Sequence, residues 1–153
     1  MEQPQNRRVN VRGIIYRNGE LFCQQLKTNN SNVTEAFWCT PGGGIEFGES
    51  LHEGLHREMI EETGVAPEIG ELLFVSQFHD GRKEQLEFFF HIKNASDYEI
   101  IDLVATSHGE IEVDVCKFID PKTHNILPKF LRDIDLDAHT ESSAPPLVLS
   151  ELK

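Results

Sequence analysis

Residues 43–65 read GGIEFGESLHEGLHREMIEETGV, and this stretch restricts the fold more than any other part of the chain. Ser50 followed by Glu53 is the S-x-x-E signature of a helix start, where the serine side chain takes up an otherwise unpaired backbone N–H. Gly64 is a natural helix stop. Leu51, Leu55 and Met59 recur at i,i+4, an apolar stripe suited to docking on a sheet. Glu58, Glu61 and Glu62 share the neighbouring face, because positions three and four apart lie together on a helix. Like charges so placed cost roughly 0.2–0.5 kcal/mol per pair on an exposed helix, and more where solvent screening falls. Arg57 reaches Glu61 at i,i+4 or Glu49 across the loop, but one guanidinium does not neutralise the set.

A solvated acidic face is the ordinary reading of a glutamate-rich helix, since glutamate is a good helix former. The alternative is a site for hard divalent cations. Mg²⁺ takes one or two carboxylates together with waters and substrate phosphate oxygens. Two such ions about 3.5–4 Å apart clamp the attacking and leaving oxygens of a phosphoryl displacement. Gly42, Gly43 and Gly44 fit that alternative, because a loop without Cβ atoms lets backbone groups approach an ion or a phosphate. Metal-assisted hydrolysis of a phosphoanhydride is the reaction these residues suggest.

The joint spacing decides between the two. Gly43, five residues, Glu49, seven residues and then REMIEETGV matches every fixed position of G-x5-E-x7-R-E-U-x-E-E-x-G-U, with U aliphatic or similar. This resembles the Nudix box, and Trp38-x-x-Pro41-Gly42-Gly43 is similar to the lead-in usual in that family. The resemblance implies an α/β/α sandwich with a central mixed β-sheet, its core over about residues 7–136 of a single domain spanning 1–153. It implies Mg²⁺ or Mn²⁺ held by Glu58, Glu61 and Glu62, with the Gly42 backbone carbonyl joining them. The catalytic set is then Glu58, Glu61, Glu62, Arg57 and Glu49, with Arg57 and Glu49 pairing to hold loop against helix. The general base is Glu61 or a glutamate of a later loop, here Glu110 or Glu112, which is also a candidate metal ligand. Gly42, Gly43 and Gly44 are the expected substrate-binding floor.

The remaining sequence agrees with such a domain. A chain of 153 residues supports one core. Apolar runs on either side of Asn18-Gly19 predict a hairpin with strands near residues 9–17 and 20–27. Residues 27–35 read as a polar loop, and AFWCT as a short strand. Two strands, ELLFVSQFH and EQLEFFFHI, flank a turn at residues 80–83; in the second, Leu86, Phe88, Phe90 and Ile92 share one face. IEVDVCKFI is a further strand, and Pro121 opens a helix disturbed or restarted at Pro128. In the tail, residues 137–153, LVLSEL is an added edge strand or a contact segment for a homodimer. Strands interspersed with helices predict an α/β domain with a mixed sheet.

Composition narrows the partners. A formal charge of −12 opposes binding of a long nucleic acid, but not of a small anionic nucleotide derivative once a metal reverses the local field. No apolar run approaches the roughly 18 residues of a membrane span, and the N-terminus lacks a signal peptide's apolar region, so a cytoplasmic protein is expected. Cys23, Cys39 and Cys116 lack metal-site spacing and read as free thiols.

Outside the box, Arg82 is a candidate phosphate contact on a turn that polar residues favour in any case. His79, Asp80 and Lys83 share that turn. Phe89 reads as a core residue, a dimer contact or a base platform; Trp38 as packing; His52 and His56 as surface histidines. The downstream proline or tyrosine that marks two subgroups of the family is absent, since Gly81 and Arg82 stand at those positions. The substrate expectation stops at a nucleoside diphosphate linked to another moiety. Two other readings of the same resemblance stay open. One is a catalytically silent nucleotide-sensing or protein-binding module; the other is isomerisation of an allylic diphosphate, which needs a cysteine in the cleft that nothing in the sequence places there.

Overall fold

The computed structural model describes residues 6–26, 36–141 and 143–152. The polar loop expected at residues 27–35 lies outside them. Among the described residues, eight strands form two sheets. The larger has five strands in the order β4 (Gly42–Gly44), β1 (Arg7–Ile14), β6 (Glu84–Ile92), β5 (Ile69–His79) and β8 (Leu147–Glu151). It is mixed: β1 runs parallel to β6 and β5 parallel to β8, while β1 and β4, and β5 and β6, are antiparallel. The smaller sheet is antiparallel, with β3 (Glu20–Leu26) between β2 (Tyr16–Arg17) and β7 (Val113–Ile119).

Asn18 and Gly19 have φ of 50° and 79°, the two left-handed residues that a tight hairpin turn requires. The first predicted strand is nevertheless two. The chain leaves the large sheet after Ile14 and joins the small one at Tyr16, and the Ile15 carbonyl accepts the Phe22 N–H at 2.9 Å. Gly13, Ile14 and Ile15 are all buried across the joint, so no polar residue marks the switch.

Alternation along the strands separates two cores. Val11, Phe90 and Ile92 pack with Leu55 and Met59 of helix α1 (Leu51–Thr63). Ile14, Phe74 and Phe89 pack on the opposite side with Leu131 and Leu136, from the short helices α3 (Phe130–Asp133) and α4 (Leu136–Glu141). Helix α2 (Gly109–Glu112) sits against the end of α1. The molecule is thus an α/β sandwich with a central mixed sheet, as expected. Both faces of β6 are covered, and Phe89 is fully buried between Phe74 and Phe130, a core residue and no base platform.

Three further expected elements change. AFWCT forms isolated bridges, Cys39 to Gln24 and Trp38 to Ile126, in place of a strand. Ile111 and Glu112 belong to α2, so β7 begins only at Val113. Pro121 opens turns, and the helices start after Pro128, at Phe130 and Leu136. The segment LVLSEL takes the edge-strand form expected of it, with Leu147–Glu151 pairing with β5 as β8.

Candidate active site

Helix α1 has both of its sequence-encoded ends. Ser50 Oγ accepts the Glu53 N–H at 3.1 Å, and Gly64, at φ 76°, sends its N–H to the Ile60 carbonyl at 2.9 Å. With Leu55 and Met59 buried against the sheet, the helix sets its glutamates beside β4. Gly42 needs its φ of 140°, and a Cβ there would lie 2.0 Å from the Val11 carbonyl oxygen. A Cβ on Gly43 would lie 2.7 Å from the Glu58 carboxylate. The glycines are therefore what lets strand and carboxylates approach.

Arg57 organises the helix and the loop together. Its Nε and Nη2 donate to Glu49 Oε2 and Oε1 at 2.7 and 2.9 Å, a two-pronged pair. Nη2 also donates to the Gly44 carbonyl at 3.1 Å, and Nη1 to Glu58 Oε1 and Glu61 Oε2, each at 3.1 Å. The Arg57 hydrogen bonds, helped by the Glu46 N–H, hold the Glu49 carboxyl down at about 2. Burial pushes Glu58 up, against the pull of Arg57.

Glu62 is the deepest carboxylate, only 4% exposed. Its Oε2 accepts from Gln24 Nε2 at 3.0 Å and from the Gly42 N–H at 3.2 Å. Burial outweighs those bonds and pushes it up to about 7. Beside it Gln24 Oε1 is buried without a hydrogen-bond partner among the described residues.

Among the described residues no three acidic, His or Cys side chains converge on one point as a finished metal site. Glu58 and Glu61 share Arg57, while Glu62 turns toward Gln24. The donor chemistry nevertheless fits a hard cation. The set is carboxylate and carbonyl oxygen throughout, Gly43 leaves Glu58 room, and Glu62 is a buried acid whose charge calls for compensation.

Of the two later glutamates, Glu112 lies close enough for its charge to raise Glu58; Glu110 is an exposed neighbour on α2. The same turn supplies a residue that the sequence did not indicate. His108 Nδ1 lies 3.1 Å from Glu61 Oε2, and its backbone N–H donates to the Glu61 carbonyl at 2.9 Å. A lone histidine in a loop carries no spacing signal. Only the packing of α2 on α1, so tight that a Cβ on Gly109 would meet the Glu62 carbonyl at 2.3 Å, brings it there.

A cleft of about 550 Å³ opens on the sheet face opposite α1. Its connection to the glutamates is Arg12, which donates through Nη1 to the Thr40 and Gly42 carbonyls at 3.3 and 3.4 Å and through Nε to Glu87 at 2.9 Å. Arg8 lies near Gly44 and forms no ion pair with a described residue. Lys129 and Phe130 form part of one wall, with Leu149 and Glu151 of β8, so the tail helps to build the cleft. His79 and Asp80 reach the cleft, whereas Arg82 is exposed on the turn and does not line it. Cys39 does line it, a placement that nothing in the sequence signals. Its thiol donates to the Gln24 carbonyl at 3.6 Å, and burial pushes it up to about 11. His52 and His56 are exposed, and Trp38 packs edge-on against His124.

The family description "NUDIX domain" matches residues 6–135. An RNA pyrophosphohydrolase of Roseobacter denitrificans is 41% identical over 63 residues, 40% of this chain and 37% of that protein. An ADP-ribose pyrophosphatase of Methanocaldococcus jannaschii is 36% identical over 67 residues, 44% of this chain and 38% of that protein. The chain thus matches well under half the length of either relative. In fold, the MutT protein of Methanosarcina mazei superposes with a TM-score of 0.66 at 24% identity, covering 86% of this chain and 92% of that one.

Proposed function

Since the chain belongs to the NUDIX domain family, we propose that it is a metal-dependent hydrolase of the phosphoanhydride bond in a nucleoside diphosphate linked to another moiety. One observation carries this reading: Arg57 gathers Glu49, Glu58 and Glu61 beside the glycine strand, and Arg12 and Gly42 join that strand to the cleft. Relatives named as pyrophosphohydrolase and pyrophosphatase support the same reaction.

Glu58, Glu61 and Glu62, with the Gly42 carbonyl, would hold Mg²⁺ or Mn²⁺. When bound, the ion supplies charge stabilisation at the phosphoryl group and a more acidic water. The chain's own residues do the rest. Arg57 fixes the loop against the helix and sets the direction of Glu58 and Glu61. Glu61, or Glu112 opposite Glu58, takes the proton of the attacking water; His108 fixes Glu61 in either case. Arg8 and Arg12 offer positive charge between cleft and glycine strand, where a diphosphate crosses from one to the other.

The acidic surface leaves a small nucleotide derivative as partner rather than a long nucleic acid. Among the described residues, no helix is long and apolar enough to cross a membrane. A homodimer through the outer edge of β8 and a cytoplasmic setting belong to the same proposal; sedimentation as a monomer at micromolar concentration would remove the dimer.

The test is a panel of nucleoside triphosphates, dinucleotide polyphosphates, nucleotide sugars and an allylic diphosphate, each with Mg²⁺ or Mn²⁺. Metal-dependent release of a nucleoside phosphate from at least one nucleotide is expected. No release from any leaves the silent binding module. Isomerisation of the allylic compound faster than any hydrolysis would transfer the reaction to Cys39.

A further inference from the structure

Two acceptors at the inner side of the cleft, one on Glu87 that lines it and one on Asn10 just behind the lining, have no donor among the described residues. Asn10 lies on the same side of β1 as Arg8 and Arg12, which line the cleft, and it is paired across the strands with Glu87 of β6. A chain of hydrogen bonds sets its orientation. Asp80 Oδ1 accepts the N–H groups of Arg82 and Lys83, and its Oδ2 accepts Gln85 Nε2 at 2.8 Å. A carboxylate only accepts, so Gln85 turns its amino group to Asp80 and its carbonyl to Asn10. Asn10 gives Nδ2 to that carbonyl at 2.7 Å, and its Oδ1 is left buried with no partner among the described residues. Glu87, only 3% exposed, accepts Arg12 Nε on Oε2, and its Oε1 takes no hydrogen bond from a described residue.

An acceptor withdrawn from water without a donor is destabilising, and a ligand presenting N–H groups relieves that cost. Phe78, Phe130 and Leu149 give the cleft apolar walls suited to a flat ring.

We propose that this cleft selects a guanine base, whose N1–H and 2-amino group donate to Glu87, with Asn10 beside it as second acceptor. The inference rests on the reading that the ligand is a nucleotide derivative. Guanine carries two adjacent donors on its pairing edge, followed by O6, an acceptor for Arg12 Nη2. Adenine and cytosine place a ring-nitrogen lone pair next to their amino group, against the carboxylate. Uracil offers one N–H between two carbonyls. A site that reads a base by such groups rejects one that leaves them unpaired.

Titration of GDP, ADP, CDP and UDP into the metal-free protein, followed by equilibrium binding, tests this without turnover. GDP should bind at least tenfold tighter than each of the others. Glu87→Gln, which keeps an acceptor for Arg12 but turns an amino group toward N1–H, should lose that advantage with an unchanged melting temperature. Equal wild-type affinities, another base ahead of guanine, or no binding of any of the four overturns the assignment, and these outcomes need no variant. A folded Glu87→Gln that keeps a tenfold preference overturns it as well. Guanine selectivity with no hydrolysis of any nucleotide would sink the hydrolase reading and leave the base assignment standing; hydrolysis without base preference does the reverse.

Discussion

Glu62 shows at the residue scale how burial and function oppose each other. Its folded pKa of about 7 lies above the ordinary value of 4.5, because desolvation outweighs the hydrogen bonds from Gln24 and Gly42. A raised acid stabilises the fold while protonated, so the contribution is complete below about 4.5 and is lost as pH rises through about 7. The shift corresponds to a loss of the order of 3 kcal/mol. Metal-free protein should therefore lose stability to urea between these pH values, and Glu62→Gln should flatten that slope. Added Mg²⁺ should restore stability above pH 7, since a cation favours the charged carboxylate. A wild-type slope equal to the variant's would show that Glu62 is not the group responsible. Arg57→Lys is the second residue-level case: one ammonium cannot serve Glu49, the Gly44 carbonyl, Glu58 and Glu61 together. Turnover should fall about 10–100-fold, the range typical of residues that orient metal ligands, with little change in KM.

These residues were legible to different degrees. The glutamate face and the Arg57–Glu49 spacing could be read because they lie on one helix and its adjoining loop, where sequence distance maps directly onto space. His108, Arg8, Arg12, Asn10 and Glu87 could not. Their meaning depends on which strands become neighbours and on α2 closing over the end of α1.

Among the elements, α1 was readable to its last residue, since its cap, stripe and stop agree with one another. Ser50→Ala should cost about 1 kcal/mol, as removal of a serine N-cap does. Gly64→Ala should cost a similar amount by forcing a side chain into φ 76°. Chemical denaturation checks both, and a change under 0.3 kcal/mol in either would mean that the cap does not limit stability. Strands were harder to delimit. The switch of sheets at Ile15 and the folding of Ile111 and Glu112 into α2 replace one apolar pattern with two, and alternation alone does not mark the joint. The helix expected from Pro121 failed because proline there opens turns, leaving the helices to start beyond Pro128.

For the molecule as a whole, a layered α/β domain with a mixed sheet could be anticipated from the order of strands and helices, and the sandwich from the family resemblance, while the cleft could not. Its walls come from β1, β5, β6, the segment after β7 and β8, regions far apart in the chain. The tail is the instructive part: LVLSEL pairs with β5 and places Leu149 and Glu151 at the cleft. Truncation after Pro146 should raise KM for nucleotide several-fold and lower the melting temperature, because it uncovers the edge of β5 as well as the cleft. Unchanged values would make β8 an appendage.

On the proposed function, a bound cation would offset part of the net charge of −12 beside the substrate's phosphates. On the same proposal, the α1 carboxylates hold the ion that activates hydrolysis. Its most direct test is the rate of nucleotide hydrolysis against Mg²⁺ concentration for the wild-type protein and Glu62→Gln, with folding of both checked by circular dichroism. Saturable, Mg²⁺-dependent turnover in the wild type and a loss of about a hundredfold or more in the folded variant is the expected result, as for removal of a metal-held charge at the reacting group. Turnover within twofold of wild type, at the same Mg²⁺ half-saturation, would contradict it.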